Sequence, residues 1–236
     1  MLALLSLALS ADQTLLYDVT VNGQVAGTRT LNIQYFPRPD GERRVVQLVS
    51  ELKLGADSWH IRATSTSGPN GAAFTASIDH SGALSQVQGV EQPEGGWHVT
   101  TSDRGGTRTF TYPRTDARLS SLDLYDPGRT WRLGAAGPFG LLISESGDAV
   151  IGQLSEPSDQ TLTIAGVSVP VRHYALSAQG GNGSIDLDVN GLMIRSELAW
   201  LGMQVVSTVH TAPAPRAVEQ IQTIDDMGGG VQEQPL

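Results

Sequence analysis

Asp186, Asp188, Asn190 and Glu197, with Gly191 among them, place oxygen-bearing side chains and one glycine at the spacing of a calcium-binding loop. Such a loop needs a helix on either side. Here Ile185, Leu187 and Val189 alternate with the polar residues as a strand does, and Asn190-Gly191 is a hairpin turn dipeptide. On a hairpin Asp186 and Glu197 fall on opposite strands instead of wrapping one ion, so the segment reads as a hairpin and no metal site is expected. The register that follows pairs Val189 with Leu192, Leu187 with Ile194 and Ile185 with Ser196 on an apolar face. It pairs Asp188 with Met193 and Asp186 with Arg195 on an exposed one.

The remaining chemistry is sparse. His60, His80, His98, His173 and His210 are scattered, with no metal-binding pair at helical spacing. His80 has Asp79 and Ser81 beside it, but neighbours on one turn seldom converge as a catalytic triad does, and a solvated turn is the reading there. There is no nucleophile elbow, phosphate-cradling glycine loop or dinucleotide fingerprint. The chain has no cysteine, which excludes disulfides, thiolate nucleophiles and cysteine-held metals. Asn182-Gly183-Ser184 has the form of a glycosylation acceptor but reads more simply as a turn. No catalytic residue and no cofactor is therefore expected. Paired carboxylates for glycoside hydrolysis depend on a separation of roughly 5–10 Å that the fold sets, so they stay open.

The elements that would carry any site are strands. Tyr17, Val19 and Val21 alternate with polar residues, Asn22-Gly23 turns the chain, and Gly27 on the return marks a bulge or close approach. In 43–54 one face carries Val46, Leu48, Ser50 and Leu52, and the other Val45, Gln47, Val49 and Glu51. Short alternating runs follow at 59–65, 72–78, 84–90, 97–102 and 107–112. Another series begins at Thr161, with turns at Ala165-Gly166 and in the glycine run 180–183. Turn signals every eight to twelve residues or so predict an all-β, mainly antiparallel fold: curved meander sheets forming a half-barrel or sandwich, with at most one or two short helices. A helical turn is expected within 116–125, capped by Thr115 or Asp116 and ended by Pro127-Gly128. The glycine-rich stretch 134–140 reads as a buried connection between half-sheets, with an apolar flap over a pocket as the alternative.

The ends differ from the middle. Residues 1–10 read as the remnant of a signal peptide, because Leu2 to Leu9 is an apolar core too short to span a bilayer and is followed by small residues suited to cleavage. Residues 11–212 then form a single β-rich domain, and 213–236 a short helix, striped by Val218, Ile221 and Ile224, with a disordered tail. A net charge of −9 with no basic stripe argues against a nucleic-acid partner.

Tyr17-Asp-Val-x-Val-x-Gly23 with Gly27, then Leu162-Thr-Ile-x-Gly166, Tyr174 and Ile185 to Arg195, give the chain an order of features that resembles uncharacterised secreted bacterial β-rich proteins. These are of the domain-of-unknown-function kind compared with lipoprotein-carrier half-barrels. The glycine-rich middle departs from that pattern. The resemblance implies a periplasmic or secreted, non-enzymatic protein that binds an apolar or lipid-like ligand on a curved sheet, and it carries no catalytic residue across. Trp59, Trp97, Trp131, Phe139 and Leu142 are the candidate ligand-binding residues, each with core packing as its competing role. A carboxylate-dependent hydrolase of a cell-envelope polymer and a surface protein without a pocket are the alternatives.

Overall fold

The structure, a computed structural model, describes residues 12–178, 181–200 and 203–213. The segment 1–10 and the helical stripe at Val218, Ile221 and Ile224 lie outside the described residues. Two successive series of strands make up the chain. The first is β1 (Gln13–Val21), β2 (Gln24–Phe36), β3 (Arg43–Leu54), β4 (Asp57–Gly68), β5 (Gly71–His80), β6 (Ala83–Glu91), β7 (Trp97–Asp103) and β8 (Gly106–Tyr112). After a short connection come β9 (Leu119–Ser120), the middle segment 121–136, and then β10 (Gly137–Leu142), β11 (Ala149–Leu154), β12 (Ser158–Ile164), β13 (Val167–Ala178), β14 (Gly181–Leu187), β15 (Met193–Trp200) and β16 (Met203–Val209). They form one curved sheet in the order 8-7-6-5-4-3-2-1-16-15-14-13-11-10-9, with β12 attached beside β13. Every pairing is antiparallel except the short one between β9 and β10. β1 and β16 join the first series to the second, through pairs such as Tyr17 with Val209.

Alternation dictates which face turns inward. Tyr17, Val19, Val21, Val46, Leu48, Ser50 and Leu52 are buried, while their neighbours in sequence are exposed or half-buried. Tight turns set the register where sequence expects them: Asn22-Gly23, Ser81-Gly82 and Ala165-Gly166 each have two successive positive φ angles. Gly27 fulfils both of its expected roles. Val19 and Thr20 of β1 pair with Gly27 and Val25, leaving Ala26 beside Gly27 as the bulged residue, and a Cβ at Gly27 would stand 2.0 Å from the Glu51 carbonyl oxygen.

What the sheet curves around is the middle segment. Leu122, Leu124 and Leu133 from this stretch are buried, as are Leu119 and Phe139 on the strands that flank it. Within 134–140, however, Gly134, Ala135, Ala136 and Pro138 are exposed and Gly137–Leu142 is β10, so that stretch is an exposed turn leading into a strand and not the buried connection expected. The helical turn of the middle segment is a 3-10 turn at Ser121–Tyr125, and its cap is Ser120 instead of Thr115 or Asp116. Ser120 Oγ accepts from the Asp123 amide while the Asp123 carboxylate accepts from the Ser120 amide, a reciprocal box that a cap several residues earlier could not close. A second 3-10 turn covers Thr130–Leu133.

The hairpin between β14 and β15 corrects part of the sequence reading. Ile185–Ser196 and Asp186–Arg195 pair as expected, but a bulge follows and Leu187 faces Met193 instead of Ile194. The pairs Val189–Leu192 and Asp188–Met193 do not form within the ladder. Of the turn dipeptide only Gly191 has positive φ. Asp188 Oδ1 accepts from the amides of Asn190 and Leu192, each at 2.8 Å, and this side-chain turn outcompetes the two-residue turn. Nor is Asp186 on an exposed face. It is 0% exposed and bonded to His173 Nδ1 at 2.7 Å, while Arg195 pairs with Glu197 at 3.0 Å. Around the bulge Ile185, Asp186 and Leu187 are all buried, so strict alternation fails there.

Candidate functional site

Buried charge locates the middle segment. Arg44 on β3 donates to Asp126 Oδ1 at 2.8 Å, and Ser67 on β4 donates to the other oxygen of the same carboxylate. Arg129 sits 2.5 Å from Asp123 and 2.9 Å from Glu91 on β6, and Arg132 also pairs with Glu91. Burial pushes the Asp123 carboxyl up, and Arg129 with the Ser120 amide pulls it only part of the way back. Each of these acids has its arginine, and removing one partner would leave an uncompensated charge in the interior.

A separate polar cluster sits where the segment meets the sheet. Arg29 on β2 donates through Nε to Ser50 Oγ at 2.8 Å and through Nη1 to the Tyr125 hydroxyl, and lies 4.0 Å from Glu145. Ser121 Oγ donates to Glu145 at 2.9 Å, and Tyr17 stands edge-on to Tyr125 with centroids 5.6 Å apart. Burial works against the Arg29 cation, but Tyr125 and Glu145 together outweigh it and hold the guanidinium charged. Burial also raises the Tyr125 phenol, with Arg29 opposing, and holds that of Tyr17 well above its usual value.

Beside this cluster is a cavity of about 50 Å³ walled by Arg29, Leu52, Ile61, Tyr125, Met193 and Val205 among others. Ile143, Leu198 and Ala199 are shared with an adjoining groove of about 400 Å³. That groove runs between the β10–β11 hairpin and β13–β15 and is lined mainly by Leu141, Val150, Ile151 and Leu176. Gly181 and Gly183 lie along it, and a Cβ at Gly183 would stand 2.4 Å from the Glu197 carbonyl oxygen, so β14 and β15 approach closely there. The groove's size is within the range of small-molecule sites.

The five aromatic and aliphatic candidates do not converge on it. Trp97, Phe139 and Leu142 are buried core residues, Trp97 against Phe74 at 5.4 Å. Trp59 stacks on His80 at 4.8 Å and borders a small surface hollow. Trp131 is 70% exposed and lines a different groove. The residues that do line the cavity were outside sequence reasoning, though one signal existed: on β2 Arg29 falls in phase with Leu31 and Ile33, a cation on an apolar face. Glu145 and Tyr125 offered no such pattern.

No family model matches this sequence, and no match is found among curated proteins. The fold is similar to that of a β-barrel-like protein of the domain of unknown function DUF1849 from Brucella abortus. The two agree with a TM-score of 0.54 over 83% of this chain and 94% of the other, at 12% sequence identity. At that identity the likeness concerns the fold alone.

Proposed function

We propose that this is a non-enzymatic, extracytoplasmic binding protein that takes the apolar part of an amphipathic ligand into the groove between β10–β11 and β13–β15. The observation that carries the reading is an apolar groove of about 400 Å³ that shares the walls Ile143, Leu198 and Ala199 with a cavity at the Arg29 cluster. A space of about 50 Å³ admits water or the tip of a chain, and its charges are already mutually satisfied, so a polar headgroup faces outward. The hydrolase alternative needs two converging acids with the cleft between them. Among the described residues lining the groove and cavity the one carboxylate is Glu145, engaged by Arg29 and Ser121.

The test is calorimetry with lysophosphatidylcholines of increasing chain length. Each buried methylene contributes about 0.8 kcal/mol, so Kd falls about fourfold per methylene until the groove is full. Ala199→Trp, at the junction of groove and cavity, should abolish the trend. Binding that is absent, or indifferent to chain length and to this substitution, overturns the reading. The location outside the cytoplasm rests on the apolar character of residues 1–10 and predicts a native N-terminus near Ala11 by mass spectrometry. Cytoplasmic protein retaining those residues would contradict it.

A further inference from the structure

Trp131 does not behave as a floppy surface side chain. Its indole N–H donates to the Gly128 carbonyl at 2.8 Å, within a turn whose Thr130 hydroxyl is tied to the carbonyl of Gly191 at 2.9 Å. The Arg132 guanidinium lies 5.5 Å from the ring centroid and is itself held by the buried Glu91. With that backing the ring is still 70% exposed, so it presents a broad, oriented aromatic surface to solvent. It borders a groove of about 630 Å³ that shares no lining residue with the apolar groove and has the buried Tyr174 and Leu187 among its walls.

The rest of this groove is polar. Asp159 on β12 and Arg172 on β13 are cross-strand partners, and both line it. Opposite charges at such positions commonly close on each other. Among the described residues neither makes an ion pair or a side-chain hydrogen bond, so both heads are available to a ligand. Gln160, Asp188 and Asn190 add further planar polar groups along the same walls.

We propose that this groove is a saccharide-binding site, with Trp131 as the stacking platform and Asp159 and Arg172 as the groups that select hydroxyls. An aromatic face carries negative charge density and meets the slightly positive C–H face of a pyranose ring, while vicinal hydroxyls match the paired acceptors of a carboxylate and the paired donors of a guanidinium. A purely apolar ligand would leave the Asp159 and Arg172 heads desolvated without partners, which disfavours it. A lipid surface would want more than one apolar side chain beside Trp131. The groove offers Val189, 79% exposed, but sets it among Asp188, Asn190 and Arg172.

The experiment is NMR titration of the whole chain labelled with nitrogen-15, following the indole signals of its four tryptophans. The probes are maltohexaose, cellohexaose and the hexamer of N-acetylglucosamine. The indole peak that Trp131→Phe removes should shift saturably with at least one of them, and the other three should not. By calorimetry with the same glycan, Trp131→Ala should weaken binding about tenfold and Trp131→Tyr by less than that, because the ring face is retained. Asp159→Asn and Arg172→Gln should each reduce affinity without altering the fold, since both residues are on the surface. Ala199→Trp should leave saccharide binding unchanged, which separates this site from the apolar groove. No saturable shift with any of the three glycans overturns the proposal, and so does a glycan affinity, measured by calorimetry, that is unchanged in Trp131→Ala. A change in the Trp131 signal on adding phosphatidylglycerol vesicles, with none from the glycans, would replace it with membrane contact.

Discussion

Arg29→Met isolates what the buried cluster does for the fold. Arg29 is 8% exposed, lies 4.0 Å from Glu145 and also supports Ser50 and Tyr125. Two unit charges at that separation attract by about 4 kcal/mol at an effective dielectric of ~20, and burial of both ions offsets much of this. The net value of the pair is therefore small, yet the single substitution is severe, because it strands the Glu145 carboxylate in the interior. Loss of one partner of a buried pair costs about 3–5 kcal/mol, or a fall in Tm of roughly 6–20 °C for a domain of this size. Arg29→Met with Glu145→Gln removes both charges and should be distinctly more stable than the sum of the single changes implies, with a coupling of about 1–3 kcal/mol. Urea denaturation of the wild type, both single variants and the double variant measures this cycle. Additive effects, with a coupling below about 0.5 kcal/mol, would refute the claim that these two charges are held against each other.

Other consequences are as direct. Gly27→Ala should be destabilised by more than about 2 kcal/mol, because its Cβ would stand 2.0 Å from the Glu51 carbonyl; Gly23→Ala meets nothing within 4 Å and should lose only about 1 kcal/mol from its positive φ. Equal losses in chemical denaturation would contradict the close approach at β2–β3. At alkaline pH the unfolded chain releases phenolic protons near pH 10, while the raised pKa values of Tyr17 and Tyr125 keep those protons on the native protein. The stability these groups contribute is fully present below about pH 10 and falls as pH rises beyond it, so Tm should drop there. Phenolate absorbance should show the two groups ionising together with unfolding, and ionisation of all five tyrosines in the native state near pH 10 would argue against this. Gly191→Val should loosen the β14–β15 loop from Thr130, because a Cβ there would come 2.6 Å from the Thr130 hydroxyl; a variant with unchanged Tm would count against that docking.

The strands, their faces and most of their turns were legible in the sequence, because alternation and positive-φ dipeptides are local properties. Val46, Leu48, Ser50 and Leu52 are inward on β3 because every second residue of a strand faces one way, a rule that needs only chain neighbours. Asn22-Gly23 and Ala165-Gly166 turn as their residue types dictate for the same local reason. Arg29 was visible as a cation in phase with apolar residues, but nothing in the sequence named its partners. Tyr125 and Glu145 are far from it along the chain, and they meet Arg29 only because the sheet wraps the middle segment. Asn190-Gly191 shows the opposite case. A strong local signal for a two-residue turn yielded to the Asp188 side chain and to the docking of Gly191 on Thr130, and that docking depends on the packed fold. The apolar groove, and the separation of Trp131 from Trp59, Trp97, Phe139 and Leu142, were likewise decided by tertiary structure. Residue type states what a side chain can bury or bond, whereas the curvature of the sheet decides which distant side chains share a wall.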